Sequence, residues 1–147
     1  MVKALIFDVD GTIAETEELH RKAYNTVFLN EGLEWSWSKE LYKKLLKVAG
    51  GKERIKFFDG NITSKKYHLN EKDILKIHNK KNERYNQWVN QGFLKLRPGI
   101  KSLIDKAIDN NLKLAISTST STMNVKSLFE NCFGIDPNSI FNAIATG

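Results

Sequence analysis

Lys3-Ala4-Leu5-Ile6-Phe7 is almost wholly apolar and ends in Asp8, the pattern of a short central parallel strand covered on both faces. Asp10-Gly11-Thr12 then turns the chain. From Thr16 to about Asn30 the period changes. Leu19, Ala23 and Val27, with Tyr24 and Phe28 one step round, fall three and four apart and predict a helix. Ser38 begins a second helix, with Leu41, Leu45 and Leu46 on one stripe. Gly50-Gly51 breaks it, Lys52 starts another short helix, and Gly60 to Ser64 reads as a loop. Asn70 caps a long charged helix from Glu71 to about Asn90, with Ile74, Ile77, Tyr85 and Trp88 inward. After the Arg97-Pro98-Gly99 turn, Ile100, Leu103, Ile104, Ala107 and Ile108 form an amphipathic helix. Lys113 to Ser117 is a second apolar strand and Thr118 to Thr122 a Ser/Thr loop. Met123 to Phe133 is a helix with Val125, Leu128, Phe129 and Cys132 inward, and Ile140 to Thr146 a third strand. Strand, long helical insertion, helix, strand, helix, strand is an α/β arrangement.

Composition narrows the function classes. No apolar run approaches the roughly 20 residues of a membrane helix, and no charged segment followed by an apolar one marks a leader at the N-terminus. The single cysteine, Cys132, cannot form an internal disulfide, which fits a reducing compartment. The formal net charge is +6, but 19 of the 23 basic residues are lysines scattered among asparagines. That distribution reads as a solvated surface, so neither a nucleic-acid nor a membrane partner is expected.

The chemistry concentrates at strand ends, where open α/β sheets bind ligands. Asp8 and Asp10, two residues apart, project from the same sheet edge. Two like charges held there call for a cation between them, and hard oxygen donors without His or Cys suit Mg²⁺. A carboxylate can also act as a nucleophile and form an aspartyl-phosphate. The motif thus offers a nucleophile (Asp8), a proton-transfer group (Asp10) and metal ligands (both). An Asp-Gly turn of purely structural meaning is the alternative. At the end of the second strand, the hydroxyls and backbone N–H groups of Thr118, Ser119 and Thr120 could hold phosphate oxygens.

Asp8-Val9-Asp10-Gly11-Thr12 and Leu114-Ala115-Ile116-Ser117-Thr118 resemble the first and second motifs of the haloacid dehalogenase-like hydrolases. Ala14 to Arg21, Gly50-Gly51-Lys52-Glu53-Arg54-Ile55, Leu96-Arg97-Pro98-Gly99 and Ser119-Thr120-Ser121 with Asn124-Val125 resemble the CbbY-type phosphatases of that superfamily. The resemblance implies a Rossmann-like parallel sheet core, residues 1–14 and 92–147, with a helical cap at 15–91. It implies Mg²⁺-dependent hydrolysis of a sugar bisphosphate such as xylulose-1,5-bisphosphate, a by-product that inhibits the carboxylase of the Calvin cycle. Asp8 would be the nucleophile and a metal ligand. Asp10 would be the acid/base, its backbone carbonyl also on the metal. Thr118 would hold the transferring phosphate. Glu17 and the segment Gly50, Gly51, Lys52, Glu53 and Arg54 would contact the sugar and its distal phosphate. The physics of that segment agrees: two cations and a helix start follow an open backbone. Glu17 and His20, three apart, share a helix face.

The same resemblance places a lysine motif and a pair of metal-binding acids after the third and fourth strands. Neither is present, so the chain reads as a C-terminally truncated member, incomplete in its sheet and expected to be inactive and poorly soluble alone. A β-phosphoglucomutase-type phosphomutase and a non-catalytic remnant are the alternatives. A monomer acting on a phosphorylated sugar, in cytoplasm or plastid stroma, is expected.

Overall fold

The computed structural model describes residues 2–147. Its elements run β1 (Ala4–Phe7), α1 (Glu17–Asn30), α2 (Lys39–Leu45), α3 (Gly51–Phe57), α4 (Glu71–Asn90), α5 (Ile100–Asp109), β2 (Lys113–Ser117), α6 (Thr122–Cys132) and β3 (Ala143–Ala145). The chain divides into two compact units, Met1–Glu17 with Asn86–Gly147, and Glu18–Tyr85. The joints therefore fall at 17/18 and 85/86, whereas the sequence expectation put them at 14/15 and 91/92.

In the sheet unit the strands are parallel in the order β1-β2-β3, with Phe7 opposite Ile116 and Ser117 opposite Ala145. Both crossovers run the same way across the sheet, and right-handed connections then put α5 and α6 on one face. That face is the core: Phe7, Leu114, Ile116, Ile104, Ala107, Val125, Leu128, Phe129 and Phe141 are buried. The other face is bare. Ala4, Ala143 and Ala145 are exposed, and Ile6 is 71% exposed. Within residues 2–147, β1 pairs with β2 alone and one face of the sheet is uncovered.

Two further expectations change. Leu103 and Ile108 point outward and Ile104 and Ala107 alone carry α5's burial, because a helix packed on one face of a narrow sheet buries only a thin stripe. β3 is shorter than Ile140 to Thr146. Asp136 caps a 3₁₀ turn at Pro137–Ser139, accepting from the Asn138 N–H at 2.8 Å.

The helical unit is built on aromatics. Trp37 is fully buried, with Tyr24, Phe28 and Phe58 rings at 4.6, 4.9 and 5.4 Å between centroids. Ser38 caps α2 through the Leu41 N–H at 3.1 Å. Asn70 caps α4 through Lys72 and Asp73, while Asp73 accepts from Asn70 in return. The expected 60–64 loop begins instead as a π-helical turn, Phe58–Ile62. Asp59 in that turn is buried, and its carboxylate accepts from the N–H groups of Tyr67 at 2.7 Å and Leu69 at 2.8 Å. Along α4, Lys81 occupies a place on the inward stripe, while Trp88 is only half-buried. Charge is segregated: Glu18–Tyr85 holds 16 basic and 9 acidic residues, the rest 7 and 8.

Candidate active site

Two clusters, one in each unit, contain the residues singled out from the sequence. In the sheet unit, Asp8 follows β1 and Thr118 follows Ser117 at the end of β2. Because Phe7 and Ile116 are register partners, Asp8 and the Thr118 loop leave from neighbouring strand ends, about 4.8 Å apart in strand spacing. Asp8 is exposed and Asp10 half-buried. Residues 9–14 form a tight loop in which Val9 O accepts from Thr12 and Ile13, and the Gly11 N–H donates to Ala14 O at 2.8 Å. Thr16, fully buried, donates its hydroxyl to Asp10 Oδ1 at 2.5 Å. That bond fixes the Asp10 carboxyl in the loop. Thr12 donates more weakly to Asp8 Oδ2, at 3.5 Å.

Arg97 braces this loop from outside. Its backbone N–H donates to Ile13 O at 2.9 Å, its Nη1 donates to Gly11 O, and its Nε lies 3.2 Å from Glu15 Oε1. From sequence, Arg97-Pro98-Gly99 reads as a turn. No local signal shows that its side chain reaches back 86 residues to hold the Asp8–Ala14 loop.

The Thr118 loop is also organised by its own polar groups. The Thr120 N–H donates to Thr118 Oγ1 at 3.3 Å, and Ser121 caps α6 through the Asn124 N–H. Ser119 is exposed and Thr120 buried, so of the three hydroxyl residues only Thr118 and Ser119 face solvent. Glu17 is half-buried at the start of α1.

In the helical unit the structure groups Gly50 to Arg54 with residues that the sequence did not single out. Gly50 precedes α3 with φ 88°, in the left-handed region glycine tolerates. Gly51 is needed for space: a Cβ there would lie 2.6 Å from His78 Nε2 and 2.7 Å from the Tyr24 hydroxyl. Lys52 and Glu53 are exposed. Arg54 is committed elsewhere. Its Nε donates to Leu45 O at 3.1 Å, its Nη2 to Val48 O at 3.2 Å, and its guanidinium lies over the Tyr42 ring. These bonds satisfy carbonyls at the end of α2. His20 is buried and stacks on Tyr85 at 3.9 Å. Lys81, 5% exposed, sets its ammonium 5.0 Å from the Tyr24 ring and 5.8 Å from that of Tyr85.

Burial, with the Lys81 and Lys52 cations secondary, pushes the His78 imidazole down to about 4, against smaller opposition from Glu53. The unfolded chain takes a proton near pH 6.5 that the folded chain refuses until about pH 4. His78 therefore costs stability progressively as pH falls through that window, and its contribution is complete below it. Denaturation of the His78→Gln variant between pH 4 and 7 is expected to show a shallower acid loss than the parent. Equal slopes would assign the loss to other groups.

Among the described residues no group of three or more His, Cys, Asp or Glu side chains comes together as a metal site. Asp8 and Asp10 supply hard carboxylate oxygen donors beside the end of β1. This matches a cation that takes one or two carboxylates and completes its shell with water and phosphate oxygens, as Mg²⁺ does.

A sequence profile described as "Haloacid dehalogenase-like hydrolase" matches residues 5–147. The chain is 44% identical over 147 residues to "Protein CbbY" of Cereibacter sphaeroides, covering all of this chain and 63% of that protein. It is 33% identical to a "CBBY-like protein" of Arabidopsis thaliana, over 88% of this chain and 42% of that one. Among solved structures, CbbY of Rhodobacter sphaeroides in complex with xylulose-(1,5)bisphosphate superposes with TM-score 0.93 at 44% identity, over all of this chain and 64% of that one. The β-phosphoglucomutase of Clostridium difficile gives TM-score 0.77 at 26% identity, over 99% of this chain and 62% of that one. The chain thus spans less than two thirds of the length of each of these relatives.

Proposed function

The chain belongs to the haloacid dehalogenase-like hydrolase family, and on that premise we propose that it carries the nucleophile, acid/base and phosphate loop of a Mg²⁺-dependent sugar-bisphosphate phosphatase. The observation that carries this reading is the pairing of β1 and β2, which sets Asp8 and Thr118 at neighbouring strand ends, with Asp10 held by Thr16. The bisphosphate bound to the CbbY structure supports the substrate class.

In this mechanism the Asp8 carboxylate attacks phosphorus and forms an acyl phosphate as the bond to the sugar oxygen breaks. Asp10 delivers its proton to that oxygen, and the sugar leaves as an alcohol. Water then attacks the acyl phosphate while Asp10 takes up its proton, releasing inorganic phosphate and restoring Asp8. Thr118 and Ser119 donate to the phosphoryl oxygens. The Asp8 carboxylate and the Asp10 backbone carbonyl would hold Mg²⁺, whose charge would offset that of the phosphate dianion facing Asp8. Glu17 and the Gly50 to Glu53 segment read the sugar and its second phosphate. His78 lies against Gly51 as a neutral imidazole, and Lys81, over the Tyr24 ring that also borders Gly51, adds a further cation nearby.

The test is product analysis with a ketopentose bisphosphate and the protein at its full length, with and without Mg²⁺. Metal-dependent release of inorganic phosphate is expected. Transfer of the phosphoryl group to another position of the sugar would point to a phosphomutase, and no turnover of any phosphorylated sugar to a non-catalytic protein.

The geometry also separates Lys52 from Arg54. Lys52→Ala is expected to lower kcat/KM for the bisphosphate roughly ten- to hundredfold, the worth of a charge-assisted contact of about 1.5–3 kcal/mol. A small monophosphate, lacking the second anion, should lose little. Arg54→Ala, which strips the brace from α2, should lower the unfolding midpoint and weaken both substrates together. Selective loss of the bisphosphate in Arg54→Ala with unchanged stability would restore Arg54 as a direct phosphate contact.

A further inference from the structure

The Ser/Thr loop after β2 rests on a buried chain of polar side chains. Asn86, 7% exposed on α4, donates its Nδ2 to Asn124 Oδ1 at 3.0 Å. Asn124, 3% exposed on the first turns of α6, donates its own Nδ2 to Thr120 Oγ1 at 3.0 Å. Thr120, 7% exposed, donates its backbone N–H to Thr118 Oγ1 at 3.3 Å. Every bond in the series points the same way, from α4 toward the loop. Thr118 Oγ1 already accepts at its inner end, so its O–H is left to donate outward. The series is held at a cost: three buried polar side chains stand in sequence, and among the described residues Asn86 Oδ1 has no hydrogen-bond partner. Apolar side chains at 86 and 124 would pack α4 against α6 without that cost, but they would leave the orientation of Thr120 and Thr118 unspecified.

We propose that Asn124, oriented by Asn86, is a positioning residue: it fixes Thr120 and thereby aims the Thr118 hydroxyl as a donor toward a phosphoryl oxygen. The proposal rests on the reading of Thr118 as a phosphate contact, and two independent measurements keep the two ideas apart. The first needs no activity. In Asn124→Ala the amide proton of Thr120 should exchange with solvent at least tenfold faster than in the parent, while the amides of β2 stay protected. Exchange at Thr120 equal to the parent's would overturn the proposal. Should Asn124→Ala prove too unstable to compare, Asn86→Ala breaks the far end of the chain and should move the same amide in the same direction by less.

The second measurement is a double-mutant cycle on phosphate release from the small substrate para-nitrophenyl phosphate by the full-length protein. Asn124→Ala and Thr118→Ala should each lower kcat by about tenfold or more with little change in KM, and the double variant should be no slower than Thr118→Ala alone. Losses that multiply in the double variant would show that Asn124 acts by some other route and would overturn the proposal. If Thr118→Ala leaves turnover unchanged while Asn124→Ala still releases the Thr120 amide, Thr118 is not the phosphate contact, and the structural part of the proposal stands.

Discussion

Replacing Asp8 by Asn is expected to abolish turnover while leaving the fold intact. The amide cannot form an acyl phosphate, so the route through the nucleophile closes entirely instead of slowing. Its structural cost is small: Asp8 is exposed and accepts from the Thr12 hydroxyl at 3.5 Å, a long contact that an amide oxygen can still accept. Thermal unfolding should therefore be unchanged within a degree or two. Asp10→Asn should behave differently. It keeps the Thr16 bond to Oδ1 and the backbone carbonyl, so substrate affinity should survive while kcat falls by about 10²–10⁴, the usual worth of a positioned acid/base. Phosphate release by Asp8→Asn at the parent rate would remove the nucleophile assignment and with it the proposed reaction.

The largest stability effect is expected at Asp59. Its buried carboxylate takes two short backbone N–H bonds, from Tyr67 and Leu69, and so ties the segment after the π-helical turn to the aromatic core. Tyr67 in turn accepts from the Glu34 N–H through its hydroxyl and packs its ring at 5.3 Å from Trp35. Asp59→Ala leaves two partly buried donors without their acceptor. At about 1.5–3 kcal/mol for each charge-assisted bond, the loss should be roughly 3–6 kcal/mol, a large share of the stability of a unit this size. Asp59→Asn keeps one acceptor and turns an N–H toward the other donor, so it should recover less than half. Urea denaturation followed by tryptophan fluorescence reads this directly, since Trp35 and Trp37 lie in the core concerned. A loss below about 1 kcal/mol in Asp59→Ala would mean that the 63–70 segment is held by its side chains alone.

Much of this was legible in the sequence, for reasons of period and punctuation. Lys113–Ser117 was bounded to the residue because an apolar run is flanked by Asn111 and a Ser/Thr loop. α4 was readable from Asn70 and its 3.6-residue stripe. What escaped were contacts between residues far apart in sequence. Lys81 occupies an apolar stripe position because two tyrosine rings receive its ammonium; a periodicity reading skips a lysine there. Arg54 reads as a phosphate clamp from its neighbours and turns out to bond α2 carbonyls, which only the folded chain brings to it. Asn86 carries no local signal, being a common polar residue on a helix, and Asn124 is legible only as part of a motif, not as the donor to Thr120.

The spacing of the sheet partners also sets an order of events in folding. Ala4 pairs with Lys113, so the first hydrogen-bonded ladder must close a loop of more than a hundred residues before any strand is rewarded. Such non-local pairing is slow. The helical unit lies inside that loop, and its largely aromatic core joins residues no farther apart than the unit's own length. Once it has condensed, about 68 residues no longer count as free chain, and the closure entropy of the β1–β2 loop falls by roughly 1 kcal/mol. The inserted helical unit would then serve first as the element that gathers the two paired strands, so core mutations in it, Trp37→Phe for example, should slow formation of the sheet as well as weaken the unit itself.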